Sequence, residues 1–156
     1  MTRHPAGGAV PSRPVAGVVL LAALLAVGGC GTDATTVYRE SAVAALEAVL
    51  SEARTAELAG RLWVDGRSTY PLAVVVVGES EAGVGSEGSW FEEQQPPEPG
   101  GDLTRERTIL ALDGATSAVQ GVRIALDRSD RRATRAALDE LRSACADVES
   151  LAEELG

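Results

Sequence analysis

The sequence predicts an all-α fold, an antiparallel up-down four-helix bundle that follows a separate N-terminal leader. Two observations lead to this fold class. Apolar residues recur at alternating spacings of three and four along four segments, which is the pattern of an amphipathic helix. Short stretches rich in Gly, Pro and Asp separate these segments, and short connections favour antiparallel packing of consecutive helices.

The first and last predicted helices have the clearest stripes. We expect the first from about Thr36 to about Val64, and the last after Asp130, a residue type that caps helix N-termini well. The first stripe consists of Ala42, Leu46, Val49, Ala53, Ala56, Gly60 and Trp63. The last stripe consists of Thr134, Leu138, Leu141, Cys145, Val148, Ala152 and Leu155. Cys145 is therefore predicted to be a small core residue rather than a reactive thiol.

The third predicted helix begins near Asp102, which we expect to act as its cap. Its core stripe consists of Leu112, Ala115, Val119, Val122 and Leu126. Beside that stripe lies a second one made only of small residues, namely Ala111, Gly114, Ala118, Gly121 and Ala125. Small residues let a neighbouring helix approach closely, so we favour tight helix packing here. The alternative is a groove that admits a ligand.

The segment between the first and third helices admits two interpretations. The sequence WVDGRSTYPLAVVVVGES contains an Asp-Gly turn and four consecutive valines, which is typical of a β-hairpin at about 60–77. We favour a helix, with Thr69 as cap and Pro71 in the first turn, that ends before Pro96. Its core face would carry Val74, Val77, Val84 and Phe91. A stripe of Gly78, Ala82, Gly85 and Ser89 would meet the small residues of the third helix.

The N-terminal segment resembles the signal peptide of a bacterial lipoprotein. Arg3 and Arg13 precede an apolar run from residue 15 to 27, which is too short to cross a membrane. The run ends in Val27-Gly28-Gly29-Cys30, which resembles a lipobox. The resemblance implies that residues 1–29 are removed and that Cys30 carries two acyl chains, which together anchor a protein stably. Residues 30–35 would then form the lipidated cysteine and a short tether, and residues 36–156 one helical domain.

A wider resemblance covers most of the rest of the chain. The segments WVDGRSTYPLAVVVV, SEAGVGS, WFEEQQPP and VRIALDR are similar to those of small actinobacterial lipoproteins that are all-helical. The absence of Lys and Asn agrees with the composition of a high-GC genome. This resemblance implies a lipid-anchored protein on the extracytoplasmic face of the cell membrane. It implies no catalytic residue.

Composition excludes several classes of chemistry. The one histidine, His4, lies in the leader, and the chain has no lysine, so a Ser-His-Asp triad, a histidine-ligated metal and a Schiff-base lysine are all excluded for the mature chain. We expect no enzyme activity, no metal and no cofactor. The net charge of −9 also argues against nucleic acid as a partner, because phosphate binding requires a basic face.

The remaining candidate site is an arginine cluster formed by Arg128, Arg131, Arg132 and Arg135. In an up-down bundle these residues lie at the end opposite the lipid anchor. Guanidinium groups bind carboxylates and phosphates through paired hydrogen bonds, so the cluster predicts a contact with an envelope protein or an anionic polymer. Neutralisation by neighbouring aspartates is the competing interpretation. A small-ligand or lipid-binding bundle is the alternative function.

Overall fold

The computed structural model of the protein describes residues 33–97 and 101–156, and nearly all of them are helical. The helices are α1 (Ala34–Val64), α2 (Tyr70–Glu92), α3 (Gly101–Asp127) and α4 (Arg131–Leu155). These ranges contain no β-strand, so the all-α prediction is confirmed and the hairpin at about 60–77 is wrong. Proline at the start of α2 fits the first helical turn, where a missing N–H costs no hydrogen bond.

The four helices form an antiparallel up-down bundle. Each helix contacts the next one along the chain, α4 closes the ring against α1, and α1 also contacts α3 across the centre. Contacts at the two ends show the alternating direction. Tyr38 near the start of α1 packs against Phe91 near the end of α2, whereas Trp63 near the end of α1 packs against Tyr70 at the start of α2.

Two helices end in the same hydrogen-bonded motif. After α1, the N–H of Arg67 donates to the carbonyl of Leu62, and Gly66 adopts a positive φ of 72°. After α3, the N–H of Asp130 donates to the carbonyl of Ala125, and Ser129 has a φ of 53°. Both are Schellman motifs, which place one left-handed residue after the helix. Glycine adopts that conformation without strain, and serine does not.

The start of α3 differs from the prediction. Asp102 lies inside the first turn of a helix that begins at Gly101, so it is not the cap. Gly101 is needed here because a Cβ atom on it would lie 2.7 Å from the Cβ of Pro96. Arg105 in the next turn donates to the carbonyls of Gln94 (2.6 Å) and Glu92 (2.7 Å). These bonds satisfy carbonyls at the end of α2 and fix the α2–α3 connection.

One hydrophobic core runs the length of the bundle and draws on all four helices. Every residue of the predicted core stripes of α1 and α3 is buried, as are Val77, Val84 and Phe91 of α2, whereas Val74 is partly buried. On α4 the stripe is buried except for Ala152, which is partly buried. Residues 33–156 also form one compact unit. This unit contains its own core. We therefore expect residues 31–156, which include the whole unit, to fold by themselves.

The predicted packing of small residues between α2 and α3 is wrong. A Cβ atom added to Gly78 or Gly85 on α2, or to Gly114 or Gly121 on α3, would meet no atom within 4 Å. The close approach lies elsewhere. A Cβ atom on Gly60 of α1 would lie 3.0 Å from a methyl group of Leu138 and 3.3 Å from one of Val122, so α1 meets α3 and α4 at this glycine. The bulkier stripes face the core, and the glycines of the small stripes face away from it, whereas Ala125 of α3 is buried and Ala111 and Ala118 pack against the core.

Candidate functional site

The arginine cluster occupies the α3–α4 turn and the first turns of α4. Arg128, Arg131, Arg132 and Arg135 are all exposed, as predicted for a contact surface. Arg128, Arg132 and Arg135 form no ion pair with any carboxylate in the part of the chain that the structure describes. We call these three residues the arginine surface.

The aspartates beside the arginine surface are bound to other groups. Asp127 accepts a 2.8 Å hydrogen bond from Arg123, one turn earlier on α3. Asp130 is the N-cap of α4, as predicted, and one of its carboxylate oxygens accepts from the N–H groups of Arg132 (2.9 Å) and Ala133 (3.0 Å). These two carboxylates therefore leave the three guanidinium groups available for an external anion.

Arg131 has a different role from its neighbours. Its guanidinium donates a 2.8 Å hydrogen bond to the carbonyl of Val64 and lies 5.0 Å from the centre of the Trp63 ring. The contact combines a charge-assisted hydrogen bond with a cation–π interaction. Arg131 thus joins the α3–α4 turn to the end of α1. The sequence indicated an exposed binding residue at this position and gave no sign of a link between two turns.

An ion-pair network joins α1 to α4, and no pattern in the sequence predicted it. Glu57 lies in the middle of α1 and is mostly buried. Its carboxylate accepts hydrogen bonds from Arg61 (2.9 Å) and from Arg142 of α4 (3.3 Å). The same Arg142 also pairs with Asp139 at 2.9 Å. The hydrogen bond to Asp139 and the negative charge of Glu57 both raise the pKa of the Arg142 guanidinium. This network therefore links α1 to α4.

Cys145 is a core residue, as predicted. It is a free thiol that is only 5% exposed. Burial raises the pKa of the thiol, and the negative charges of Glu57 and Glu149 raise it further, while Arg54 acts in the opposite direction. A thiol with a raised pKa holds little thiolate at neutral pH, so Cys145 is a poor nucleophile.

Two shallow grooves follow the α3–α4 seam. They share Gly114, Ala144 and Asp147, and each has a volume of about 300 to 410 Å³. Both are open to solvent. The small-residue stripe of α3 therefore borders these surface grooves, whereas the binding of a ligand there stays a prediction.

A third concavity of about 640 Å³ lies between the start of α1 and the chain after α2. Val37, Tyr38, Ser41 and Gln94 are among its lining residues. The Tyr38 hydroxyl and the Gln94 amide nitrogen are both buried, and neither has a hydrogen-bond partner among the residues that the structure describes. Unpartnered buried polar atoms are uncommon in proteins.

Other predicted features concern chemistry and location. Within the residues described, no group of three or more His, Cys, Asp or Glu side chains is arranged to hold a metal ion. Helix α3 is long and apolar enough to cross a membrane by length and composition alone, which is weak evidence because core helices pass the same test. Cys30, the predicted lipidation site, lies outside the described residues.

Comparison with family models, with curated proteins and with solved structures finds no match.

Proposed function

We propose that the protein is a non-catalytic helical module, held on the extracytoplasmic face of the cell membrane by lipid on Cys30, that binds an anionic component of the cell envelope. The observation that carries the proposal is the arginine surface. Three exposed guanidinium groups without ion pairs lie close together in the sequence of a chain whose net charge is −9. Such a local concentration of positive charge on an acidic protein favours a specific anionic partner.

The number of residues between Cys30 and α1 determines how close a lipid anchor would hold the bundle to the membrane. Helix α1 begins at Ala34, so three residues separate it from Cys30. At about 3.5 Å per residue, this tether reaches roughly 10 Å. A lipid on Cys30 would therefore keep the start of α1 close to the membrane.

The side-chain chemistry defines the class of partner. Arg132 and Arg135 lie on adjacent turns of α4, and Arg128 lies in the preceding turn. Arginine binds phosphate and carboxylate groups through two parallel hydrogen bonds, which gives both energy and geometric selectivity. We propose a polymer with repeated phosphate or carboxylate groups as the partner. An acidic surface of an envelope protein is the other form that the same chemistry allows.

The test compares two double variants of residues 31–156 that change the net charge equally. Arg132→Gln with Arg135→Gln removes charges of the arginine surface. Arg54→Gln with Arg107→Gln is the matched control, because these arginines pair with Glu149 and Glu154. The probe is long-chain inorganic polyphosphate, and binding is measured by titration calorimetry.

We expect the first double variant to bind polyphosphate at least about tenfold more weakly than wild type, and the control to bind less than about threefold more weakly. Wild-type binding should weaken as salt rises, because exposed charges are screened. Equal losses in the two double variants would contradict the proposal, since they would show a response to net charge alone. The absence of any binding by the wild type would overturn the polymer as partner.

A second candidate function is the binding of a small ligand or a lipid, and the concavity at the start of α1 favours it. Its volume of about 640 Å³ lies in the range of small-molecule sites. A ligand that reached this concavity would supply hydrogen-bond partners for the Tyr38 hydroxyl and the Gln94 amide nitrogen, which have none within the described residues. Tyr38→Phe should then weaken binding of that ligand, whereas Arg132→Gln should not.

A further inference from the structure

The outer face of α3 carries large apolar residues at a spacing of seven. Leu103 is 72% exposed, Leu110 is 73% exposed and Ile124 is 44% exposed. Ser117 occupies the remaining position of this series and is exposed as well. Positions seven apart lie on the same side of a helix, so these residues form one line along the side of α3 that faces away from the core. The most apolar 18-residue window of α3 is accordingly only 33% buried.

Two glycines lie beside this line. Gly114 and Gly121 each cost the helix about 1 kcal/mol relative to alanine. Neither is needed for packing within residues 33–97 and 101–156, because a Cβ atom on either glycine would meet nothing there within 4 Å. Small residues on an outward face let the backbone of another helix approach closely. The glycines and the exposed leucines together therefore indicate that a second helix packs here.

The charges on the same face indicate which helix packs there and in which direction it runs. Consider two copies of α3 that lie antiparallel, with a two-fold axis beside Ser117. Leu110 of one copy then faces Ile124 of the other, and Glu106 faces Arg128, which extends α3 by one residue. Glu106 and Arg128 are exposed, and neither forms an ion pair within the ranges described. Opposite charges at facing positions stabilise helix pairs.

A parallel pair lacks this complementarity. It would place Glu106 against Glu106 of the other copy, and Asp113 and Asp127 likewise against themselves. Like charges at facing positions destabilise a helix pair. The face is therefore complementary to itself in the antiparallel direction, which is the property that a two-fold symmetric interface requires.

We propose that the protein forms a homodimer in which the outer faces of α3 pack antiparallel about a two-fold axis at Ser117. A helix of this length offers a strip of about 40 Å by 10 Å per copy, or about 800 Å² in total, which is below the roughly 1,200 to 2,000 Å² that stable specific interfaces bury. The dimer is therefore weak and reversible. The proposal does not depend on the lipid anchor. In the dimer Arg128 pairs with Glu106 of the other copy, so Arg132 and Arg135 are the residues of the arginine surface that remain for an anionic partner. If both copies are anchored to one membrane, their α1 N-termini lie at opposite ends of the pair, and the helices run along the membrane surface.

Cysteine crosslinking in the full chain tests both the contact and its direction. Ser117→Cys lies on the two-fold axis, so its copies meet, and oxidation of membranes from expressing cells should yield a crosslinked dimer. Leu103→Cys lies 14 residues from Ser117, so its copies are about 42 Å apart at 1.5 Å per residue and should not crosslink. The wild-type chain gives the background from Cys30 and Cys145. Crosslinking at residue 103 equal to that at 117, or none at 117 above the background, would overturn the proposal.

A charge exchange tests the pairing of Glu106 with Arg128 in residues 31–156, which lack the anchor. Sedimentation equilibrium should show that Glu106→Arg or Arg128→Glu alone raises the dimer Kd about tenfold, because each change affects two symmetric pairs. The double exchange should restore the wild-type Kd. Leu110→Gln should abolish the dimer, whereas Leu58→Gln, on the exposed side of α1, should not. A double exchange as weak as either single one would contradict the antiparallel register, as would a wild type that stays monomeric at every concentration.

Discussion

Three glycines of α2 provide a quantitative test of how the bundle is packed. Gly78, Gly85 and Gly88 lie inside a helix, and a Cβ atom on any of them would meet nothing within 4 Å. Replacing each by alanine removes about 1 kcal/mol of helix cost without introducing a clash. The triple variant should therefore raise the free energy of unfolding by about 2 to 3 kcal/mol, a large change for a domain with a total of about 5 to 15 kcal/mol.

Gly60→Ala is the matched control for this prediction. It gains the same helix propensity, but its Cβ atom would lie 3.0 Å from Leu138 and 3.3 Å from Val122. Overpacking of a core costs about 1 to 3 kcal/mol, so Gly60→Ala should give no net gain or a loss. Urea unfolding of residues 31–156, followed by circular dichroism, measures both. A Gly60→Ala variant as stabilised as Gly78→Ala would refute the close approach at Gly60, and a destabilised triple variant would refute a helical α2.

Three further predictions concern single positions. Ser129→Gly should stabilise the protein by about 1 kcal/mol in the same unfolding assay, because glycine adopts the left-handed conformation of the α3 C-terminus without strain; an unchanged or lower stability would argue against that conformation. Arg131→Ala should destabilise by about 1 kcal/mol through loss of the contacts with Val64 and Trp63, while an effect no larger than that of Arg132→Ala would contradict the linking role. Cys145 should react with thiol reagents far more slowly in the folded protein than in urea, and equal rates would show that the thiol is accessible.

The bundle was predictable because helical periodicity depends only on residues that are three or four positions apart in the sequence. The stripe from Leu138 to Leu155 and the Asp130 cap need only local spacing and local hydrogen bonds, and both are found. Helix α2 was the ambiguous element, since four valines favour a strand by propensity. Burial on one face by the neighbouring helices decides for a helix, as the buried Val77, Val84 and Phe91 show.

The interaction surfaces were less predictable because they depend on how helices rotate about their axes. The small residues of α3 were expected to meet α2, yet the larger stripe from Leu112 to Leu126 faces the core and turns Gly114 outward. Arg131 contacts Trp63 across 68 positions of sequence, and no local pattern encodes such a contact. Arg131 and Arg132 are both exposed, but only Arg131 donates to the carbonyl of Val64 and contacts the Trp63 ring, and these contacts require the fold.

The proposed location at the membrane, on which the role as an envelope module rests, depends most directly on the chemical state of Cys30. The measurement is mass spectrometry of the N-terminal peptide of the chain, extracted from the membranes of a bacterial host that processes lipoproteins. We predict a mature chain that begins at Cys30 and carries a diacylglyceryl group on its sulfur, and we predict that Cys30→Ala moves the protein out of the membrane fraction. A membrane-bound chain that keeps residues 1–29, or that has an unmodified Cys30, would contradict the account.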